Sequence, residues 1–88
     1  MMQRNSLKIA FLEKPECHLC EDAEIVVQKV CARLSLPWEK INIEDHPDLY
    51  DQYKEEIPVL LVDGQKLFKY YTTERDLLKS LSRRLSSR

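Results

Sequence analysis

The fold of this chain is decided by LKIAFLEKPECHLC, residues 7–20, in which a short apolar run gives way to a turn and a pair of cysteines. Residues 7–12 place apolar side chains on both faces of a predicted β-strand, which is typical of a central strand covered on both sides. The segment Lys14-Pro15-Glu16 ends that strand. The last four residues of the stretch, CHLC, therefore begin a new element.

A helix is predicted from Cys17 or His18 to Leu34, because apolar side chains recur there at three- and four-residue steps. These positions are Ala23, Val26, Val27, Val30 and Leu34. The first turn of a helix offers unpaired N–H groups and the positive end of the helix dipole, and both stabilise a thiolate. We therefore expect Cys17 to be the more exposed thiol, with a pKa below that of a free cysteine, and Cys20 to lie one turn further in.

The middle of the chain predicts one strand and one short helix. Residues 38–43 alternate apolar and polar side chains, which predicts the second strand. The short helix opens at residues 45–47, where Asp45 or His46 caps it and a proline is tolerated in the first turn. It ends before Pro58, because the residue that precedes a proline is held extended.

The clearest local pattern is a pair of β-rich runs, residues 59–62 and 65–70, on either side of Asp63-Gly64. The Asp-Gly pair is a strong marker of a two-residue hairpin, so both runs are predicted to be strands. The last helix is predicted from Thr73, as its cap, to Leu85.

Together these elements predict an α/β fold in the order β-α-β-α-β-β-α. The β-α-β half is a crossover of the usual right-handed kind. The hairpin completes one four-stranded mixed sheet, which three helices cover. With 88 residues, the chain is expected to form a single domain, residues 1–88.

The composition excludes several classes of function. Because 14 Lys and Arg oppose 15 Asp and Glu, the basic surface that binds nucleic acid is missing. The single glycine leaves no glycine-rich loop for a nucleotide phosphate. No apolar run reaches the ~20 residues that cross a bilayer, and three cysteines fit poorly with a framework of structural disulfides. We expect a cytoplasmic monomer that binds neither nucleic acid nor membrane, with reduced thiols.

Cys17-His18-Leu19-Cys20 is a C-x-x-C motif that lies within a predicted β-α-β unit. In a cytosolic protein this combination predicts thiol–disulfide exchange. Attack by the Cys17 thiolate on a disulfide gives a mixed disulfide, which Cys20 then resolves. We interpret His18 either as an exposed residue without a special role or as a cation that helps to hold Cys17 as a thiolate.

The same cysteine spacing also occurs in zinc sites, which normally need four nitrogen or sulfur ligands. Cys31 cannot join such a site, since it lies eleven residues after Cys20 on the same predicted helix, about 16 Å along its axis. We interpret Cys31 as a core cysteine. Two alternatives to redox activity stay open: metal or iron–sulfur handling through the thiols, and a non-catalytic module that binds an extended peptide beside Pro58.

Taken together, these residues resemble the thioredoxin superfamily and, within it, the glutaredoxins, over nearly the whole chain from Leu7 to Leu81. The chain is most similar to small glutaredoxin-like proteins that carry a C-x-L-C-[DE] start and an [IV]-P-V-L strand. In this sequence those motifs read Cys17-His18-Leu19-Cys20-Glu21 and Ile57-Pro58-Val59-Leu60.

The resemblance implies a role for each residue that matches a motif. It implies that Cys17 is the nucleophile and Cys20 the resolving cysteine. It also implies a cis bond before Pro58, although base rates for X–Pro bonds favour trans, and a backbone at Ile57 that binds an extended substrate. Lys14 matches a lysine that helps glutaredoxins to bind the glutathione carboxylate. The expected substrate-binding residues are Lys14, His18, Ile57 and Pro58.

The sequence departs from the glutaredoxin pattern after the fourth strand. Glutaredoxins usually have two glycines and an acidic residue there, whereas residues 70–74 read Tyr-Tyr-Thr-Thr-Glu and the lone glycine, Gly64, falls in the hairpin. The expected reaction is dithiol–disulfide exchange on protein disulfides or glutathione mixed disulfides. It requires no metal or organic cofactor, and glutathione is a candidate electron donor.

Overall fold

The structure, a computed structural model, describes residues 7–86. The ends of the domain predicted for residues 1–88, which are residues 1–6 and 87–88, lie outside the described part. The elements follow the predicted order. They are β1 (Ile9–Glu13), α1 (His18–Leu34), β2 (Glu39–Asn42), α2 (Pro47–Tyr53), β3 (Val59–Val62), β4 (Gln65–Lys69) and α3 (Glu74–Ser86), with one 3₁₀ turn (Ile43–Asp45) between β2 and α2.

The four strands form one mixed sheet in the order β2-β1-β3-β4, which confirms the predicted α/β fold. β1 runs parallel to β2 and antiparallel to β3, and β3 and β4 form an antiparallel hairpin. Leu12 pairs with Val59, so the end of β1 and the start of β3 lie side by side. The loop from β1 to the cysteines therefore lies at the same end of the sheet as Pro58.

Two clusters of buried side chains form the core. The larger cluster includes Leu7, Ile9, Phe11, Val27, Val30, Leu60, Leu77 and Leu81. The smaller cluster is formed by Leu12, Cys20, Ile43, Tyr53, Ile57 and Val59. Because successive residues of a strand face opposite sides, β1 contributes Phe11 to one cluster and Leu12 to the other. This is the arrangement expected of a central strand.

The two long helices are amphipathic. α1 buries one side through residues that include Ala23 and Val27, and α3 buries Leu77 and Leu81. The cap of α3 is the predicted one, since the N–H of Asp76 donates to the Thr73 hydroxyl at 3.1 Å. Within residues 7–86, no helix is long and apolar enough to cross a membrane.

The hairpin turn forms at Asp63-Gly64 as predicted. Asp63 has a φ of 52° and Gly64 a φ of 83°, the positive values that a two-residue type I′ turn needs. The N–H of Lys8 donates to Asp63 Oδ1, and the N–H of Asp63 donates to the Lys8 carbonyl, both at 2.8 Å. These bonds join the turn to the start of β1, at the end of the sheet away from Pro58.

The region between β2 and α2 differs from the prediction in detail. β2 is one residue shorter at each end. It ends at Asn42 because Asn42 Oδ1 accepts the N–H of Glu44 at 2.9 Å and opens the 3₁₀ turn. α2 begins at Pro47 after His46, whose side chain makes no capping hydrogen bond. His46 is therefore the cap residue, as predicted, but its side chain does not cap the helix. The fixed φ of proline begins this helix instead.

Candidate redox site

Cys17 is the residue on which α1 begins. Its backbone is extended, and its sulfur accepts a hydrogen bond from the backbone N–H of Cys20 at 3.1 Å. A sulfur therefore takes the place of the oxygen that usually caps a helix start. The same N–H group and the positive end of the helix dipole favour negative charge on this sulfur. The thiolate is the form of cysteine that attacks a disulfide.

The two cysteines of the motif are joined by a disulfide bond, with their Cα atoms 5.2 Å apart. This Cα separation lies within the range that a disulfide spans without backbone movement. Cys17 is half-buried, whereas Cys20 is only 3% exposed. Cys17 is therefore the more exposed of the two cysteines, as expected.

The residue before Pro58 lies beside the cysteines. Cys20 packs in the smaller core cluster with Ile57, and Cys17 packs against the same cluster. The Ile57–Pro58 peptide bond is cis, and both residues are buried. Neither the N–H nor the C=O of Ile57 makes a hydrogen bond within residues 7–86. Both groups are therefore available to an extended segment of another chain.

Tyr70 holds the loop in front of Pro58. Its backbone N–H donates to the Pro58 carbonyl at 2.7 Å, and its hydroxyl donates to the Glu55 carbonyl at 2.8 Å. Lys66 makes an ion pair with Glu56 in the same loop, and the hydrogen bond between them lowers the pKa of Glu56 and raises the pKa of Lys66. These contacts fix the backbone that lies beside the cysteines.

This role of Tyr70 was not predicted. The hydroxyl contact joins residues that are fifteen positions apart, and no local pattern indicates it. A φ of 68° at Tyr70 also ends β4 at Lys69, one residue before the predicted end. The only sequence signal was the absence of the glycines that glutaredoxins usually have after the fourth strand, where this chain has Tyr70 and Tyr71.

Lys14 and His18, two of the predicted substrate-binding residues, lie on either side of Cys17 in the sequence. Lys14 is half-buried, and no carboxylate of residues 7–86 lies within 4 Å of its ammonium group. The His18 side chain is 99% exposed, and its Nδ1 lies 3.7 Å from Glu21 Oε1. Neither residue donates a hydrogen bond to a cysteine sulfur.

Glu13, the last residue of β1, is an acid near the site that was not predicted to matter. Burial raises the pKa of its carboxyl, Lys40 lowers it, and Glu24 and Glu44 raise it again. Lys40 is itself held by Glu24 at 3.1 Å. The available signal was an acidic residue at the end of an otherwise apolar strand.

Cys31 is a core cysteine, as predicted. It is fully buried and free of any disulfide, and burial raises the pKa of its thiol to about 11. It is therefore protonated and shielded at neutral pH. In the described part of the chain, no three His, Cys, Asp or Glu side chains are grouped so that they could hold a metal ion.

A groove of about 240 Å³ opens beside Leu19, the residue that precedes Cys20 in the motif. One wall belongs to α1, and the other belongs to the segment between β4 and α3 together with the start of α3. The walls include Leu19, Asp22, Val26, Tyr70, Tyr71 and Glu74. Because Tyr70 also bonds to the Pro58 carbonyl, the groove adjoins the loop that contains Ile57.

The sequence model of a family described as Glutaredoxin-like domain (DUF836) matches residues 8–82. The chain is also 26% identical, over 82 residues, to "Glutaredoxin-like protein YDR286C homolog" from Dictyostelium discoideum. That match covers 86% of this chain and 76% of the other protein.

Solved structures show the same fold. Protein Ne2328 from Nitrosomonas europaea is 23% identical, with a TM-score of 0.72 over 91% of this chain and 95% of that chain. Thioredoxin 1 from Thermosipho africanus is 14% identical, with a TM-score of 0.69 over 91% of this chain and 96% of that chain. At these identities the likeness shows a thioredoxin-like fold alone. Because the family match spans most of the sequence, the chain belongs to the glutaredoxin-like domain (DUF836) family.

Proposed function

We propose that this protein is a thiol–disulfide oxidoreductase that transfers two electrons from a Cys17–Cys20 dithiol to a disulfide in a protein substrate. The observation that carries the proposal is the arrangement of the two sulfurs at the start of α1. Cys17 is half-buried and caps the helix with its sulfur, and Cys20 is buried and joined to it by a disulfide bond. Membership of a glutaredoxin-like family supports the same reaction.

The first step is attack by the Cys17 thiolate on one sulfur of the substrate disulfide. The bond between Cys17 and the substrate forms as the substrate S–S bond breaks, and the departing thiolate takes a proton from water. Cys20 then loses its proton to water and attacks Cys17 Sγ. The second substrate thiolate leaves and is protonated. The substrate has gained two electrons, and the protein carries the Cys17–Cys20 disulfide.

The residues around the cysteines bind the substrate in this proposal. The unpaired N–H and C=O of Ile57 hydrogen-bond to an extended substrate segment, and the buried ring of Pro58 fixes the direction of that backbone. The positive charge of Lys14 favours the Cys17 thiolate, and His18 favours it when its imidazole is protonated. None of these steps uses a metal or an organic cofactor.

A thiol donor must return the disulfide to the dithiol form. Equilibration of the Cys17–Cys20 pair in buffers of reduced and oxidised glutathione measures its reduction potential. The same experiment shows by mass whether a glutathione adduct forms. An adduct at Cys17 supports glutathione as the donor, whereas direct equilibration only with a dithiol assigns that role to a protein dithiol.

Three cysteine variants test the mechanism. We expect Cys17→Ser to lose all reduction of a small uncharged disulfide, and Cys20→Ser to accumulate a mixed disulfide that mass spectrometry detects. Cys31→Ala is the matched control and retains the wild-type rate, because Cys31 is buried in the other core cluster. If Cys17→Ser reduces the disulfide as fast as wild type, the mechanism is wrong.

The alternative classes predict different results in the same preparations. A peptide-binding module without turnover predicts that the reduced wild-type protein leaves every disulfide intact. Metal handling predicts stoichiometric zinc or iron in protein purified without oxygen, with both thiols protected from alkylation.

A further inference from the structure

We infer that the groove beside Leu19 binds a lysine or arginine side chain that lies next to the reacting cysteine of the protein substrate. This inference rests on the proposed function and deepens it, because it names the substrate class as disulfides flanked by a basic residue. Three features carry it: the apolar walls, the sign of their charge and the position of the groove beside the reacting sulfurs.

The walls of the groove suit the stem of a long side chain. Leu19 and Val26 line one side, and Tyr70 and Tyr71 line the other. Leu19 is 50% exposed and Tyr71 is 70% exposed, so this apolar surface lies open to solvent. The methylene groups of lysine or arginine pack on such a surface while the charged head reaches a polar group. A tyrosine ring also attracts a cation placed over its face. The Tyr70 ring already has the ammonium of Lys69 over it, so Tyr71 is the ring that a substrate cation would contact.

The carboxylates that line the groove among residues 7–86 are Asp22 and Glu74, and no lysine or arginine lines it. Glu74 forms an ion pair with Lys29, whose ammonium nitrogen lies 3.5 Å from Glu74 Oε2. Asp22 has no basic group of the described chain within 4 Å. Lys69 lies on the Tyr70 side, with its ammonium 5.3 Å from the centre of that ring. Asp22 is therefore the acid of the groove whose charge no basic group of the described chain pairs with. The negative charge of Asp22 attracts a cationic side chain and opposes glutathione, which is anionic overall.

The groove is also placed where a substrate residue next to the disulfide would reach it. Leu19 lies between the two cysteines, and Tyr70 is bonded to the Pro58 carbonyl. A substrate strand that pairs with the backbone of Ile57 has its cysteine at Cys17, and neighbouring side chains of a strand extend from it to either side. One of those neighbours therefore faces the groove.

Three symmetric peptide disulfides test the inference. Each peptide has one cysteine, and the neighbouring residue is arginine, citrulline or glutamate, where citrulline has the shape of arginine without its charge. Reduced protein is mixed with excess disulfide, and the released peptide thiol is measured. A parallel reaction with dithiothreitol corrects for the intrinsic reactivity of each peptide. We expect the arginine peptide to react about threefold faster than the citrulline peptide and about tenfold faster than the glutamate peptide. The ratios are modest because an ion pair exposed to solvent contributes little free energy.

Matched variants assign the charge preference to Asp22. We expect Asp22→Asn to lower the ratio of the arginine-peptide rate to the citrulline-peptide rate. The ratio should then lie close to the one measured with dithiothreitol. The ratio is the readout because a change in the reactivity of Cys17 cancels in it. Glu39→Gln removes an equally exposed acid at the far end of β2 and leaves the ratio unchanged. High salt lowers the ratio of the wild-type protein in the same way, because it screens the pair.

A second pair of variants assigns the apolar contact to Tyr71. We expect Tyr71→Ala to slow the arginine and citrulline peptides alike, by about threefold, since both lose the same stem contact. Tyr50→Ala is the control, because Tyr50 is an exposed tyrosine of α2 that does not line the groove.

A small uncharged disulfide separates the two ways of failing. If the protein reduces it but shows no preference for the arginine peptide over the citrulline peptide, the groove inference is wrong and the proposed function stands. If the protein reduces neither the small disulfide nor the peptides, the proposed function fails and the groove inference fails with it. Faster reaction with oxidised glutathione than with the arginine peptide assigns the groove to glutathione and overturns the inference.

Discussion

The starts of α1 and α3 form the same hydrogen bond with different atoms. At α1 the sulfur of Cys17 accepts the N–H of Cys20, and at α3 the hydroxyl of Thr73 accepts the N–H of Asp76, both at 3.1 Å. Each bond satisfies an N–H group that the helix itself leaves without a partner. A thiol loses its proton near neutral pH and becomes a nucleophile, whereas a threonine hydroxyl keeps its proton. Replacing oxygen by sulfur therefore turns a structural cap into a reactive one.

The largest expected effect comes from making the first helix start resemble the second. Cys17→Ser replaces the sulfur with oxygen, so disulfide exchange is lost completely. The free energy of unfolding of the reduced protein stays within about 0.5 kcal/mol of wild type, because serine is a good helix cap. Cys17→Ala, which has no capping atom, loses about 1 kcal/mol. Urea unfolding in the presence of a reductant measures both, and equal stabilities of the two variants would show that the cap contributes nothing.

Alkylation of the reduced protein compares the reactivity of Cys17, which caps α1, with that of Cys31, which lies in the core. We expect iodoacetamide to modify Cys17 more than about 100-fold faster than Cys31 at neutral pH, because the helix start favours the first thiolate. Burial raises the pKa of Cys31 to about 11 and also blocks access to it. Mass spectrometry of peptides identifies the modified residue. The rate for Cys17 should rise with pH around a midpoint below about 8.5, and a midpoint above that value contradicts the role of the helix start.

The contribution of the Thr73 hydroxyl, which caps α3, is tested by substitutions at that residue. Thr73→Ala removes the acceptor for the N–H of Asp76 and should lower the free energy of unfolding by about 1 kcal/mol. Thr73→Ser keeps the hydroxyl and should retain most of that stability. Urea unfolding of the three proteins in parallel gives the difference. If the serine variant is as unstable as the alanine variant, the methyl group of Thr73 is responsible and not the hydrogen bond.

The smallest expected effect concerns Glu13, the last residue of β1, which precedes the loop to Cys17. Because burial raises its pKa in the folded protein, the stability that this carboxyl contributes is present at low pH and is lost as the pH rises through the raised value. Glu13→Gln does not titrate, so it should gain stability relative to wild type as the pH rises from 4 to 7. We expect a gain below about 1 kcal/mol, since the carboxyl is half-exposed and screened. Thermal unfolding across this pH range measures it, and a constant difference between the two proteins contradicts the assigned cause.

The elements that depend on residues close together along the chain were predictable from the sequence. Asp63-Gly64 specifies the hairpin by its own backbone preferences, and the spacing of apolar residues specifies α1 and α3. The end of β2 was not predictable from alternation, because the side chain of Asn42 competes with the strand for a backbone N–H. Base rates argued against a cis bond at Pro58, and only the resemblance to a family indicated one.

The candidate site was predictable in its chemistry and unpredictable in its surroundings. The C-x-x-C spacing indicates a dithiol at a helix start, and the structure places Cys17 and Cys20 beside Ile57. The contact of Tyr70 with Glu55 joins residues far apart in the chain. The groove exists only because α1 and the start of α3 lie side by side, which depends on packing across the larger core cluster. No pattern among neighbouring residues of the sequence indicates how these two helices pack together.

The hairpin turn at Asp63-Gly64 gives this small protein a point of attachment. The turn is exposed, and a Cβ built on Gly64 meets no atom within 4 Å. Exposed loop tips are the places where inserted sequences are best tolerated. Since the turn lies at the opposite end of the sheet from Cys17, an epitope or a surface tether inserted there leaves the sulfurs facing solution. Immobilised in this way, the Cys20→Ser variant becomes a bait that captures its substrates covalently and releases them on reduction.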